Sequence, residues 1–199
     1  RQVCVLHGGD GINPLTSAPI FYGDTWEWNG TSWSLTATGT PLQRHRHSMA
    51  FDSARNRTVL FGGLINSFTV FSGSTYEYDG TAWTLKSNTG PSARYLATMD
   101  FDALKARTVL FAGVNSVTAL DDIWMWDGTN WLQASTSPTA PFQGHSGFAI
   151  YNPLRQALLI HGVTGNYLSW ELRVGGPVIN AQPVDAVRFA GQPVSFSMA

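Results

Sequence analysis

The chain has 199 residues, 43% of them apolar, a formal net charge of −1 and no block of like charges. Such a chain can hold one or two globular domains and has nothing to draw nucleic acid or an acidic membrane surface. Charged residues reach only 13% while aromatics reach 13% with 8 Trp, a balance suited to strands that bury rings on their faces. The single Cys excludes an internal disulfide framework, and no apolar run approaches the roughly 18 residues of a membrane span.

Arg1 opens directly into the strand-like run Val3 to Leu6 with no signal-peptide pattern, so the natural N-terminus is expected elsewhere. Cys4 is expected to be a small apolar residue on a buried strand. Val5-Leu6-His7-Gly8-Gly9 is the first copy of an element that returns as Arg57-Thr58-Val59-Leu60-Phe61-Gly62-Gly63, then 50 residues later from Arg107 to Gly113, and again from Ala157 to Val163. A loop is predicted over residues 10–23. Asp24-Thr25-Trp26-Glu27-Trp28-Asn29-Gly30-Thr31-Ser32-Trp33 follows, and Ser74 to Trp83 and Asp122 to Trp131 repeat it. Aromatics alternating with period 2 around an Asn-Gly or Asp-Gly predict a hairpin in each. In the fourth unit only Leu168-Ser169-Trp170-Glu171-Leu172 remains of it.

A further strand precedes each later copy of the Gly element: His47 to Asp52, Ala97 to Asp102 and Gly147 to Asn152. A full unit of about 50 residues therefore has four strands, a to d, and the repeat is its organising feature. Glycine after strand b serves a positive φ or a close backbone approach, and the rings of strands c and d are expected to pack between neighbouring units.

Four strands per unit, a Gly-Gly after strand b, and an aromatic followed seven positions later by Trp (26 to 33, 76 to 83, 124 to 131) resemble the kelch motif over residues 1 to about 173. The closest likeness is to kelch-like repeats of secreted bacterial proteins, similar to the central domain of galactose oxidase. The resemblance implies an all-β fold, a partial kelch-type β-propeller over residues 1–174 with about three and a half four-stranded blades. Propellers close with 4 to 8 blades, so missing blades of the same full-length chain are expected partners. Its N-terminal strand is expected to complete the fourth blade. Unpaired edges on the first and last blades predict self-pairing of the chain alone.

Gly175-Gly176-Pro177 is a breaker cluster suited to a linker. Residues 178–199, with Gln182-Pro183 and Gly191-Gln192-Pro193-Val194-Ser195-Phe196, resemble the first strands of a bacterial immunoglobulin-like sandwich, a fold of about 100 residues.

No paired acid and base stands out. His7 and His161 occupy the strand-b position held elsewhere by Phe61 and Phe111, which predicts packing. His45 and His47 are expected on one face of a strand beside Arg44 and Arg46, a spacing open to structural, ligand-contact or metal roles. The turn carboxylates, such as Asp52 and Asp79, are expected to bond local backbone. Galactose oxidase holds copper through Tyr and His, one Tyr crosslinked to Cys; here the only Cys lies between Val3 and Val5, so the resemblance implies fold without that activity, and no cofactor or metal is expected.

The predicted b–c loops, residues 10–23, 64–74, 114–121 and 163–167, vary and share one end of the repeats with the d–a segments. Variable loops on a rigid scaffold usually carry binding residues. The candidate face comprises Tyr22, Arg44, Arg46, Phe68, Phe71, Arg94, Tyr95, Asn115 and Phe142. The expected function is non-enzymatic binding or adhesion to a protein or glycan within a larger secreted or cell-surface protein. A piece of a propeller enzyme such as a copper oxidase, with its catalytic residues elsewhere, or a ligand-free spacer are the alternatives.

Overall fold

The computed structural model describes residues 2–66, 68–134, 147–161 and 169–172. The proposed linker and immunoglobulin-like segment, Phe142, His145 and the last b–c loop lie outside them. The described residues are all β. Strands β1 (Cys4–Ile12), β2 (Pro19–Trp28) and β3 (Trp33–Thr38) form the first sheet. A short β4 (Arg44–His45) precedes β5 (Ser48–Asp52) and β6 (Arg57–Phe61), and β7 (Leu64–Ile65) returns to pair with β4. β8 (Thr75–Tyr78) and β9 (Trp83–Ser87) complete a second sheet ordered β5-β6-β8-β9. The third sheet runs β10 (Thr98–Asp102), β11 (Arg107–Phe111), β12 (Ile123–Trp126), β13 (Trp131–Gln133), and the fourth β14 (Phe148–Asn152), β15 (Ala157–His161), β16 (Ser169–Leu172). Every pairing within these sheets is antiparallel between neighbours in sequence order.

The turns show why this chain folds into meanders. Between strands b and a of the same sheet, Asp52 Oδ1 accepts the Arg55 amide, Asp102 Oδ1 those of Leu104 and Lys105, and Asn152 Oδ1 those of Leu154 and Arg155. Each of these turns ends on a left-handed residue, Asn56, Ala106 or Gln156, with φ of 55°, 49° and 52°. The hairpins of strands c and d have four-residue loops instead: Trp28 faces Trp33, Tyr78 faces Trp83 and Trp126 faces Trp131. In each, Asn29, Asp79 or Asp127 accepts two amides through its side chain. These donors hold the carboxyls of Asp79, first through Ala82, and Asp127, first through Asn130, below the usual carboxylate range.

Three apolar layers join the four sheets face to face. Leu60, Tyr78 and Trp83 pack with Val5 and Ala37 across the first and second sheets. Val59 and Phe61 meet Leu110 and Trp126 across the second and third, and Val109, Phe111 and Ile123 meet Leu158 and Ile160 across the third and fourth. Leu60 and Leu110 have no exposed surface, and each such leucine contributes about 2 kcal/mol by burial. Tyr78, Trp83, Trp126 and Trp131 of strands c and d thus lie between neighbouring sheets, as the repeat predicts, whereas Trp28 and Trp33 of the first sheet lie on its face that no other described sheet covers.

Polar bonds recur across two of these layers. Trp83 Nε1 donates to Thr25 Oγ1 at 2.8 Å, and Trp131 Nε1 to Thr75 Oγ1 at 2.7 Å. The Tyr78 hydroxyl donates to Glu27 Oε1 at 3.1 Å, and Trp126 Nε1 to Glu77 Oε1 at 2.8 Å. In the third sheet Ile123 and Met125 stand in the register positions of that Thr and Glu.

Three expectations change. The loop over 10–23 shrinks to residues 13–18, because β1 and β2 continue pairing beyond a bulge at His7–Gly9 as far as Ile12 and Pro19. His45 and His47 do not share a strand face: Arg46 takes φ of 55° between the end of β4 and the start of β5. Cys4 is exposed, because it lies on the face of the first sheet that no other described sheet covers.

Candidate binding surface

Glycine geometry builds the loop end. Gly62 and Gly63 have φ of 73° and 89°, and a Cβ on Gly62 would stand 2.5 Å from the Arg94 carbonyl oxygen. The bare glycines let the segment entering the next unit lie against the loop leaving strand b, and Gly63 N–H donates to that Arg94 carbonyl at 2.8 Å. Gly8 meets the carbonyl of Arg44 in the same way. Pairing of β4 with β7, the Asn66 amide bond to the Gln43 carbonyl and the Tyr95–Val114 bridge extend this arrangement. The b–c loops and the d–a segments therefore meet at one end of the sheets.

Within that end, Arg44 and Arg94 are buried supports. Each guanidinium donates to a carbonyl after strand b, Arg44 to Gly62 at 3.0 Å and Arg94 to Ala112 at 3.1 Å. Burial lowers the Arg44 pKa to about 10, with the neighbouring Tyr76 acting against the shift, so the side chain stays cationic at neutral pH. Arg94 also grips both oxygens of Asp122; burial alone would raise that carboxyl, but the Arg94 hydrogen bonds and charge bring it below the usual range. Asn115 is a turn residue as well, its Oδ1 accepting the amides of Val117 and Thr118, each at 2.8 Å.

The remaining candidates face outward in two groups. Phe68 is 49% exposed, and its ring meets Phe21 at 5.2 Å and His45 at 5.1 Å between centroids. His45 is buried beneath them with Nδ1 3.1 Å from Asp10. Tyr22 lies next to this cluster, half-exposed over Gly11. A groove of about 530 Å³ runs beside it, lined by Phe21, Tyr22, Asp24, Leu42, Gln43 and Asn66. In the second group Phe71 packs on Tyr95 at 5.5 Å, and the exposed Arg46 places its guanidinium 5.9 Å from the Tyr95 ring centre.

Sequence reasoning missed Phe21, Asp10 and Gln43. Phe21 lay in a predicted loop, and its strand position became legible only through the long β1–β2 pairing. Among the described residues no three His, Cys, Asp or Glu side chains converge as a metal-binding set, and no helix is long and apolar enough to cross a membrane. Half-exposed rings beside a groove edged with amides and one carboxylate can stack on a sugar face or an apolar side chain while hydrogen-bonding its polar rim. No protein-family model matches the sequence, and no curated protein matches it.

Proposed function

We propose that the chain is a kelch-type β-propeller section, about three and a half blades in length, that serves as a non-enzymatic binding or adhesion module for a protein or glycan. In this reading it belongs to a larger secreted or cell-surface protein and continues at residues 178–199 into an immunoglobulin-like domain. The four-strand repeat, the Gly-Gly crossing points and the face-to-face sheets support the propeller.

The observation that carries the binding role is the Phe21–Phe68–Tyr22 group beside the groove, held on backbone that β4–β7 pairing and the buried Arg44 make rigid. Preorganised aromatic contacts lose little rotamer freedom on binding. A glycan and protein array probed with the chain tests this. Specific capture that weakens about tenfold or more in Tyr22→Ala and Phe68→Ala is expected for central aromatic contacts. An array without capture, or capture indifferent to both substitutions, contradicts the assignment.

A further inference from the structure

The loop end repeats one backbone conformation under two different side chains. Arg46 and Leu96 stand at matching positions of the repeat, with left-handed φ of 55° and 54°, and the Leu96 amide donates to the Arg46 carbonyl at 2.9 Å. The turn is kept and the side chain is not, so the fold itself does not call for an arginine there. Arg44 and Arg94, at the same end, are buried and give their donors to carbonyls and, for Arg94, to Asp122. Arg46 is exposed instead. Among the described residues no carboxylate pairs with it, and its guanidinium lies beside the Tyr95 ring. The acids nearby are engaged elsewhere, Asp10 with His45, Asp24 with the Trp26 indole and Asp122 with Arg94.

Arg46 also joins the two aromatic groups. Its neighbour His45 lies beneath Phe21 and Phe68, while Arg46 itself lies by Tyr95, which packs on Phe71. One peptide bond, about 3.8 Å between Cα atoms, separates the two supports. Gln43 and Asn66, linked by the Asn66 amide to the Gln43 carbonyl at 3.0 Å, add two exposed side-chain amides without partners among the described residues. Backbone groups crossing here bond one another: Arg94 N–H donates to the Ser72 carbonyl, Ser72 N–H to that of Gly63, and Tyr95 and Val114 exchange both bonds. An extended peptide finds no strand edge among them. Recognition therefore falls to rings, amides and one guanidinium. That set suits a sugar, with C–H faces on the rings, hydroxyls on the amides and an anionic substituent on the planar fork of donors.

We infer that the ligand of this surface is an acidic glycan, Arg46 binding a carboxylate or sulfate on one sugar while Tyr22 and Phe68 stack on another. This assignment rests on the binding role proposed above and adds the charge of the ligand, through a residue which that role does not itself require.

The test prints uronate-bearing and sulfated oligosaccharides beside their carboxyl-reduced and desulfated forms and a hexaglutamate peptide, and measures capture by the unmodified chain, Arg46→Leu and Arg46→Lys. Arg46→Leu copies Leu96 and its left-handed backbone, so the variant is expected to fold. The acidic sugars are expected to be held about tenfold more tightly than their neutral counterparts, the scale of hydrogen bonds to a charged group, and the preference to shrink as salt rises. Arg46→Leu is expected to bring the acidic forms down to the neutral level and to leave the neutral forms unchanged. Arg46→Lys, a point charge without the fork, is expected to keep part of the preference. Equal capture of acidic and neutral forms, a preference that survives Arg46→Leu, or capture of hexaglutamate in place of the acidic sugars overturns the inference. If capture of the neutral forms still weakens in Tyr22→Ala and Phe68→Ala, the binding surface stands and only the role of Arg46 falls. Absence of capture from every class overturns both.

Discussion

His7 and His47 sit together under Trp83, their rings 5.7 Å apart and His7 5.3 Å from the indole. Burial, then the charge of Arg44, pushes the His7 pKa down to about 4; burial, then His7, Arg44 and His45, pushes that of His47 down to about 3. Both bind protons near pH 6.5 in the unfolded chain. Between pH 6.5 and 4 the unfolded state therefore holds more protons, and stability falls as pH falls. His7 alone removes about 3 kcal/mol across that window. Thermal melts from pH 7.5 to 4 are expected to show this loss, and His7→Phe, matching Phe61 and Phe111, to reduce it; a flat profile contradicts the buried neutral pair. At Gly62, Ala would place its Cβ against the Arg94 carbonyl. Gly62→Ala is expected to cost about 1–3 kcal/mol in chemical denaturation, although Ala112 occupies the matching position with φ of 60° in the next unit.

At the scale of strands, the pattern of alternating aromatics around Asn-Gly and Asp-Gly was enough to place the c–d hairpins, since period 2 and a turn cap are both local. The short β4–β7 ladder was not legible, because it joins two residues from each of two segments that read as loops. The role of Arg44 and Arg94 was hidden for a related reason: an arginine near a loop reads as exposed, and only the carbonyls crossing at Gly62 and Ala112 give it a buried use. Glu27 and Glu77 look solvent-facing within their strands, yet the neighbouring sheet supplies a Tyr hydroxyl and a Trp N–H. Glu77→Met, which copies Met125, is expected to cost about 2 kcal/mol by stripping the acceptor from Trp126 and Arg55. Hydrogen exchange at the Trp126 indole, read by NMR, should accelerate in that variant while Trp131, bonded to Thr75, changes less. Unchanged exchange at Trp126 contradicts the inter-sheet bond.

Across the whole molecule, repeated sheets supply rigidity and the non-repeated loops supply difference. The turns at one end are near copies, capped by Asn29, Asp79 and Asp127 and by Asp52, Asp102 and Asn152, whereas the other end collects Phe21 and Tyr22 from strand β2 with Phe68, Phe71 and Tyr95 from segments between strands. That asymmetry underlies the proposal of binding at one end, and the loop lengths in the sequence already carry it. Which aromatics converge is not legible there, because Phe21 and Phe68 are distant in sequence and meet only across the first and second sheets. The most direct measurement is amide chemical-shift mapping of the labelled chain titrated with a ligand captured on the array. Perturbations confined to residues 10–23, 42–46, 64–74 and 92–96 are the predicted result. Perturbations centred on the repeated turns at 29–32, 53–56, 79–82 and 103–106 would contradict it.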